Sequence, residues 1–197
     1  MSTTKEMSHE ESLRIIKNMI QSAKNDFEDD SFYYLFWGWL VFIAATTNYI
    51  LLLMNNASAS LVWLLMPLGG VVTAIYARKS NKEKKAKSYV DQFITHASIA
   101  FLVSLLIIIF SSPLLQESSY PVIMVLYGIF LYICGSAIEF NPLRIGGVLN
   151  WIAAIIAFNV TFDIQLLVLA SAVLVGYIIP GYLLKRKYSV HNSTSAA

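Results

Sequence analysis

Polar and apolar positions in this chain fall into long blocks, not into the short periods of a half-buried helix or strand. From Ser31 to Ala77, 47 consecutive residues contain no Asp, Glu, Lys or Arg. A bilayer hydrocarbon core of ~30 Å takes about 20 helical residues, so this run is long enough for two crossings. Continued to the end of the chain, the pattern predicts six spans: Phe32–Met54, Leu61–Ala77, Val90–Phe110, Val122–Ile138, Ile145–Val160 and Leu166–Leu184. Backbone amides in hydrocarbon must be satisfied within their own segment, which makes each span a helix. The breaks are polar and turn-prone: Asn55–Ser60 reads NNASAS, Ser111–Pro121 carries Pro113, Glu117 and Pro121, and Asn141-Pro142 and Asp163 mark the last two. The expected fold is an all-α membrane protein, a six-span transmembrane helix bundle over residues 31–187. One amphipathic cytoplasmic helix over 1–30 precedes it, and a disordered cytoplasmic tail over 188–197 follows.

Charge adds orientation to this pattern. Of the fourteen Lys and Arg residues, Lys5, Arg14, Lys17 and Lys24 precede span one, and Arg78, Lys79, Lys82, Lys84, Lys85 and Lys87 follow span two. Arg144 follows span four, and Lys185, Arg186 and Lys187 follow span six. With six spans all four groups share one side, as cytoplasmic loops do. The fifth span is short and carries Gly146, Gly147, Asn150 and Asn159; removing it would place Lys185–Lys187 on the opposite side. The chain is therefore expected in the cell inner membrane, multi-pass, with both termini cytoplasmic. The run Arg78–Lys87 reads as a topology determinant whose Lys and Arg side chains touch anionic lipid headgroups. Charged residues are 13% of the chain and the net charge is +2, which gives no nucleic-acid signal.

The first 30 residues hold seven acidic and four basic side chains and lack the apolar core and cleavage site of a signal peptide. Ser8-His9-Glu10-Glu11 fits a capping box. Leu13, Ile16, Ile20, Ala23 and Phe27 then recur at spacings of three and four, forming one apolar stripe. A stripe of that kind is buried against something. Its segment is net acidic, whereas helices lying on anionic membranes favour Lys and Arg, so it packs on its own bundle or on a partner. Asp26, Glu28, Asp29 and Asp30 crowd the start of span one without the ordered spacing of a calcium loop.

Chemistry inside the spans is sparse. No charged side chain lies near the midplane, where one would mark an ion or proton path. Polar groups that line a cavity, or bond between helices, are Asn48, Thr73, Asp91, Thr95, His96 and Asn150. Asp91, Thr95 and Ser98 share one face of span three; Gln92 and His96 share another. His96 reads as a proton-responsive group or, more ordinarily, as a hydrogen bond to a neighbouring helix. Haem lacks a second histidine in a span, the single Cys134 precludes an intramolecular disulfide, and no serine has a matching His and acid. No cofactor or metal is expected. Gly70-xxx-Ala74, Ala153-xxx-Ala157 and Ala172-xxx-Gly176 predict close helix approach. Pro67 and Pro180 predict kinks in spans two and six.

Ser31–Phe42 (SFYYLFWGWLVF), Phe140–Trp151 (FNPLRIGGVLNW) and Ile179–Lys187 (IPGYLLKRK), with the Glu11-Ser-Leu-Arg-Ile-Ile start, resemble a family of small multi-span inner-membrane proteins from Bacteroidetes-type bacteria that has no assigned activity. The resemblance implies a bacterial inner-membrane address and carries over no functional residue. The function expected from the residues is that of a non-enzymatic regulatory, interaction or assembly component, acting through the cytoplasmic helix and basic loop. Its partners would be the bilayer, a second copy, or another membrane or cytoplasmic protein. The rival is a small-solute or lipid transporter using the kinked spans two and six. An enzyme ranks third, because no nucleophile, base and orienting group come together.

Overall fold

The computed structural model describes residues 31–56, 58–80 and 89–186. The stripe Leu13, Ile16, Ile20, Ala23 and Phe27, the loop lysines Lys82, Lys84, Lys85 and Lys87, and the tail 188–197 lie outside the described residues. Among those described there is no strand. The elements are α1 (Ser31–Leu53), a 3-10 turn (Ala59–Leu64) leading into α2 (Leu65–Ser80), α3 (Tyr89–Phe110), α4 (Ser119–Ala137) and α5 (Asn141–Ala157). Last comes α6, which runs as α-helix over Phe162–Val173, passes one wide π turn (Leu174–Ile178) and continues to Arg186.

Five of these stretches are long and apolar enough to cross a membrane: Phe32–Leu53, Ala59–Tyr76, Gln92–Phe110, Ser119–Ala137 and Phe162–Arg186. This is the signature of a multi-pass membrane protein. α5 is apolar but has only 17 residues. The stretches differ in how much protein covers them. The Phe162–Arg186 window is 56% buried, while those of α2 and α3 are 11% and 6% buried. α6 is therefore central, packed against α1 and α5, whereas α2 leans on α1 and α3 on α4 at the periphery.

Two helices start four residues ahead of the sequence expectation. α5 starts at Asn141, ahead of Ile145, because Pro142 sits in its first turn, where a missing N–H costs nothing. α6 starts at Phe162, ahead of Leu166, after an extended Thr161 and with Asp163 in its first turn, where amides favour a carboxylate. The stretch between spans three and four is itself coiled into short helical turns, Ser112–Leu115 and Gln116–Ser118. Helix ends close with left-handed residues. Asn55 (φ 51°) follows α1, and the Asn56 N–H donates back to the Leu51 carbonyl at 3.0 Å. Glu139 (φ 52°) follows α4, and the Phe140 N–H donates to the Gly135 carbonyl at 2.8 Å.

The expected kinks take other forms. In span two the change is from 3-10 to α geometry at Leu65, ahead of Pro67. In span six the irregularity is the π turn, one turn before Pro180: the Ile179 N–H reaches the Leu174 carbonyl, five residues back. Pro180 has no N–H to offer the Gly176 carbonyl, and the widened turn accommodates that missing bond.

Glycines set the spacing of the bundle. A Cβ on Gly146 would collide with the Gly176 carbonyl, and one on Gly147 would lie 2.8 Å from the Gly128 carbonyl. A Cβ on Gly135 would meet the Arg144 nitrogen at 2.8 Å. α5 is thus clamped between α4 and α6 at backbone distance. Ala153, Ala157, Ala172 and Gly176 are buried, and Gly176 lies in this seam. The pair Gly70 and Ala74 is not: a Cβ on Gly70 would meet nothing within 4 Å. The neighbouring Gly69 faces Leu40, Phe36 and Trp37 of α1 instead.

Candidate functional site

The polar side chains singled out in the sequence do not form one site. Asn48, 2% exposed, works at the rim opposite the basic residues. With its amide oxygen turned to Trp63 Nε1 (2.7 Å) and its nitrogen to the Ala59 carbonyl (3.2 Å), both neighbours are satisfied. The Tyr120 hydroxyl lies 3.4 Å from the same amide. The Tyr120 ring packs on Trp63 and Phe162 at centroid distances of 5.7 and 5.2 Å. One buried amide therefore ties α1, the 3-10 turn, α4 and the start of α6 together. Thr73 donates to carbonyls of its own helix, Gly69 and Gly70, both at 3.0 Å. His96 and Gln92 are exposed on α3, and His96 Nδ1 sits 2.6 Å from the Gln92 carbonyl, so its bond is to its own helix and not to a neighbour. Thr95 is exposed on α3, and Asp91 lies in its first turn. Arg78 and Lys79 close α2.

Asn150 is the one candidate at the tight seam. It is 1% exposed, its Nδ2 donates to the Gly146 carbonyl at 2.9 Å, and its Oδ1 is buried with no partner. It stands against Gly176 in the π turn. Gln165, at the start of α6, likewise keeps a buried, unpartnered Oε1.

The bundle centre also holds three phenols that sequence reading passed over, beside the one thiol it had used only to preclude a disulfide. Tyr34, Tyr127, Cys134 and Tyr177 are all buried. The Tyr177 ring lies 5.6 Å from that of Tyr34 and 5.9 Å from that of Tyr127. The Tyr34 hydroxyl donates to the Cys134 thiol. Their only advance signal was tyrosine within apolar runs, which aromatic belts also produce. Phenols and a thiol in apolar surroundings can donate hydrogen bonds. Among the described residues no group of His, Cys, Asp and Glu is placed to hold a metal ion.

At the basic rim, Arg144 is consumed structurally. Its Nε donates to the Gly135 carbonyl (3.2 Å), Nη2 to the Ser136 carbonyl (3.3 Å) and Nη1 to Asn141 Oδ1 (3.1 Å). It satisfies the carbonyls that end α4, where a cation is also favoured by the helix dipole. An apolar groove of about 320 Å³ opens nearby between α5 and α6. No protein family, curated protein or solved structure matches this chain.

Proposed function

We propose that this protein is a non-enzymatic component of a bacterial inner membrane that regulates or assembles with other proteins through its cytoplasmic segment 1–30 and the basic loop Arg78–Lys87. In this reading α5 is the sixth crossing and both termini lie in the cytoplasm. The observation that carries it is the condition of the bundle interior. Asn48 bonds across to Ala59 and Trp63, Thr73 and Asn150 bond to carbonyls of their own helices, so the three sit at separate places, and α4, α5 and α6 meet at glycine backbones. That supports a rigid anchor more than a path for solute. In this reading the anchor carries segment 1–30, whose sequence holds a capping-box pattern and five apolar stripe residues that would each forgo about 1–3 kcal/mol if left in water.

Replacing Ile16 and Ile20 together with Asp tests this. The expected outcome is loss of a co-purifying protein or of self-association, with the detergent thermal midpoint of the full chain unchanged. A double variant that keeps every association would overturn the interaction role. Transport is the second reading, favoured by the π turn and Pro180 in α6, since interrupted helices recur in transporters.

A further inference from the structure

We propose that the groove between α5 and α6 holds one acyl chain of an anionic phospholipid, with the headgroup phosphate at the basic helix end, on Arg186. This site depends only on the multi-pass architecture and uses none of the residues invoked for protein interaction.

The groove exists because of the seam chemistry. Gly146 contributes no side chain to its floor, and Pro180 closes it beneath the π turn. The walls are Ile145 and Leu149 from α5 and Val175, Ile179 and Leu183 from α6. Ile145, Val175, Ile179 and Leu183 are 58, 44, 47 and 43% exposed, so the groove opens sideways toward hydrocarbon and is not sealed inside the bundle. Its wall side chains offer no hydrogen-bonding group, so any polar part of an occupant would be stranded there. A chain of CH₂ groups meets no such cost, and it exchanges one apolar contact for another with closer packing.

Charge fixes which lipid. Val175, Ile179 and Leu183 recur every four residues and form one stripe of α6. Arg186 follows Leu183 by three, so it leaves the helix on the groove side, and both Lys185 and Arg186 are exposed. Pro142 also lines the groove, which therefore opens at the rim of Arg144, Lys185 and Arg186. Arg144 is committed to the end of α4. Arg186, with its stem along apolar surface and its head at the interface, is the cation placed for a phosphate, and Lys185 beside it adds to the positive charge of the rim.

The test is native mass spectrometry of the purified full chain after exchange through phosphatidylglycerol or phosphatidylcholine with identical acyl chains. The expected result is one retained phosphatidylglycerol per chain, held over phosphatidylcholine by roughly tenfold, the scale set by one or two basic side chains beside an anionic headgroup. Lys185→Gln with Arg186→Gln should bring the two lipids level. Leu183→Trp, which fills the groove, should abolish retention of both, and Leu149→Trp repeats that from the opposite wall should the first variant fail to fold. Equal retention of the two lipids by the unaltered chain, or retention undiminished in a folded Trp variant, would overturn the proposal. So would a dimer that holds no lipid and dissociates when the groove is filled.

Discussion

Gly146 and Gly70 are both helical glycines in apolar surroundings, yet they answer to different neighbours. The first faces the Gly176 carbonyl and the second faces open space. Gly146→Ala forces the α5–α6 seam apart, and overpacking of this kind costs about 1–3 kcal/mol. Gly70→Ala removes backbone freedom at no steric cost and should gain about 0.5–1 kcal/mol. Thermal midpoints in detergent should therefore move in opposite directions for the two variants; a common direction would contradict the seam geometry. The sequence marked Gly70 as half of a small-residue pair and Gly146 only as a weak point of the fifth span, since spacing identifies a face but not what lies across it. The same blindness hid Tyr34, Tyr127 and Tyr177. Each sits in an apolar run and meets the others only because α1, α4 and α6 converge.

Elements divide into a clamped set and a leaning set. α5 is held at backbone distance on two sides, while α2 and α3 each lean mainly on one neighbour and turn wide apolar faces outward. Spin labels on cysteines at Val72 and Ile107, which are 48% and 61% exposed, should show high collision rates with dissolved oxygen in a bilayer. Labels at Ala154 and Leu169, both 1% exposed, should show low rates, all in a Cys134→Ser background. Protection at Val72 and Ile107 would mean that protein, not lipid, covers α2 and α3. Most helices were legible as apolar blocks because lipid exposure demands them. The ends of α5 and α6 were misplaced by four residues each because Pro142 and Asp163 look like loop residues in sequence and serve as first-turn residues in the fold. The π turn was not legible, since a proline shows where a bond is missing but not how the chain absorbs its loss.

For the whole molecule, the charge pattern and the contacts between helix ends agree. Phe32 of α1 stacks on Tyr76 of α2 at 4.5 Å, and Gly181 of α6 faces Leu35 of α1, so the ends carrying basic residues gather at one rim. Cysteine labelling from outside the cell should reach positions 58 and 118 but not 80 and 193; the reverse would invert the proposed orientation. The brevity of α5 has a further consequence, for biosynthesis. At about 1.5 Å per residue its 17 residues cover less than the ~30 Å of hydrocarbon, and two glycines and Asn150 weaken its partition into lipid. Such a segment is a poor independent client for the insertion machinery. As the sixth crossing proposed above, it would enter as the second arm of a hairpin with α4, across the turn at Ile138–Phe140, with α6 against its other side. On that reading, integration of this protein into the membrane would be complete only when α6 has left the ribosome.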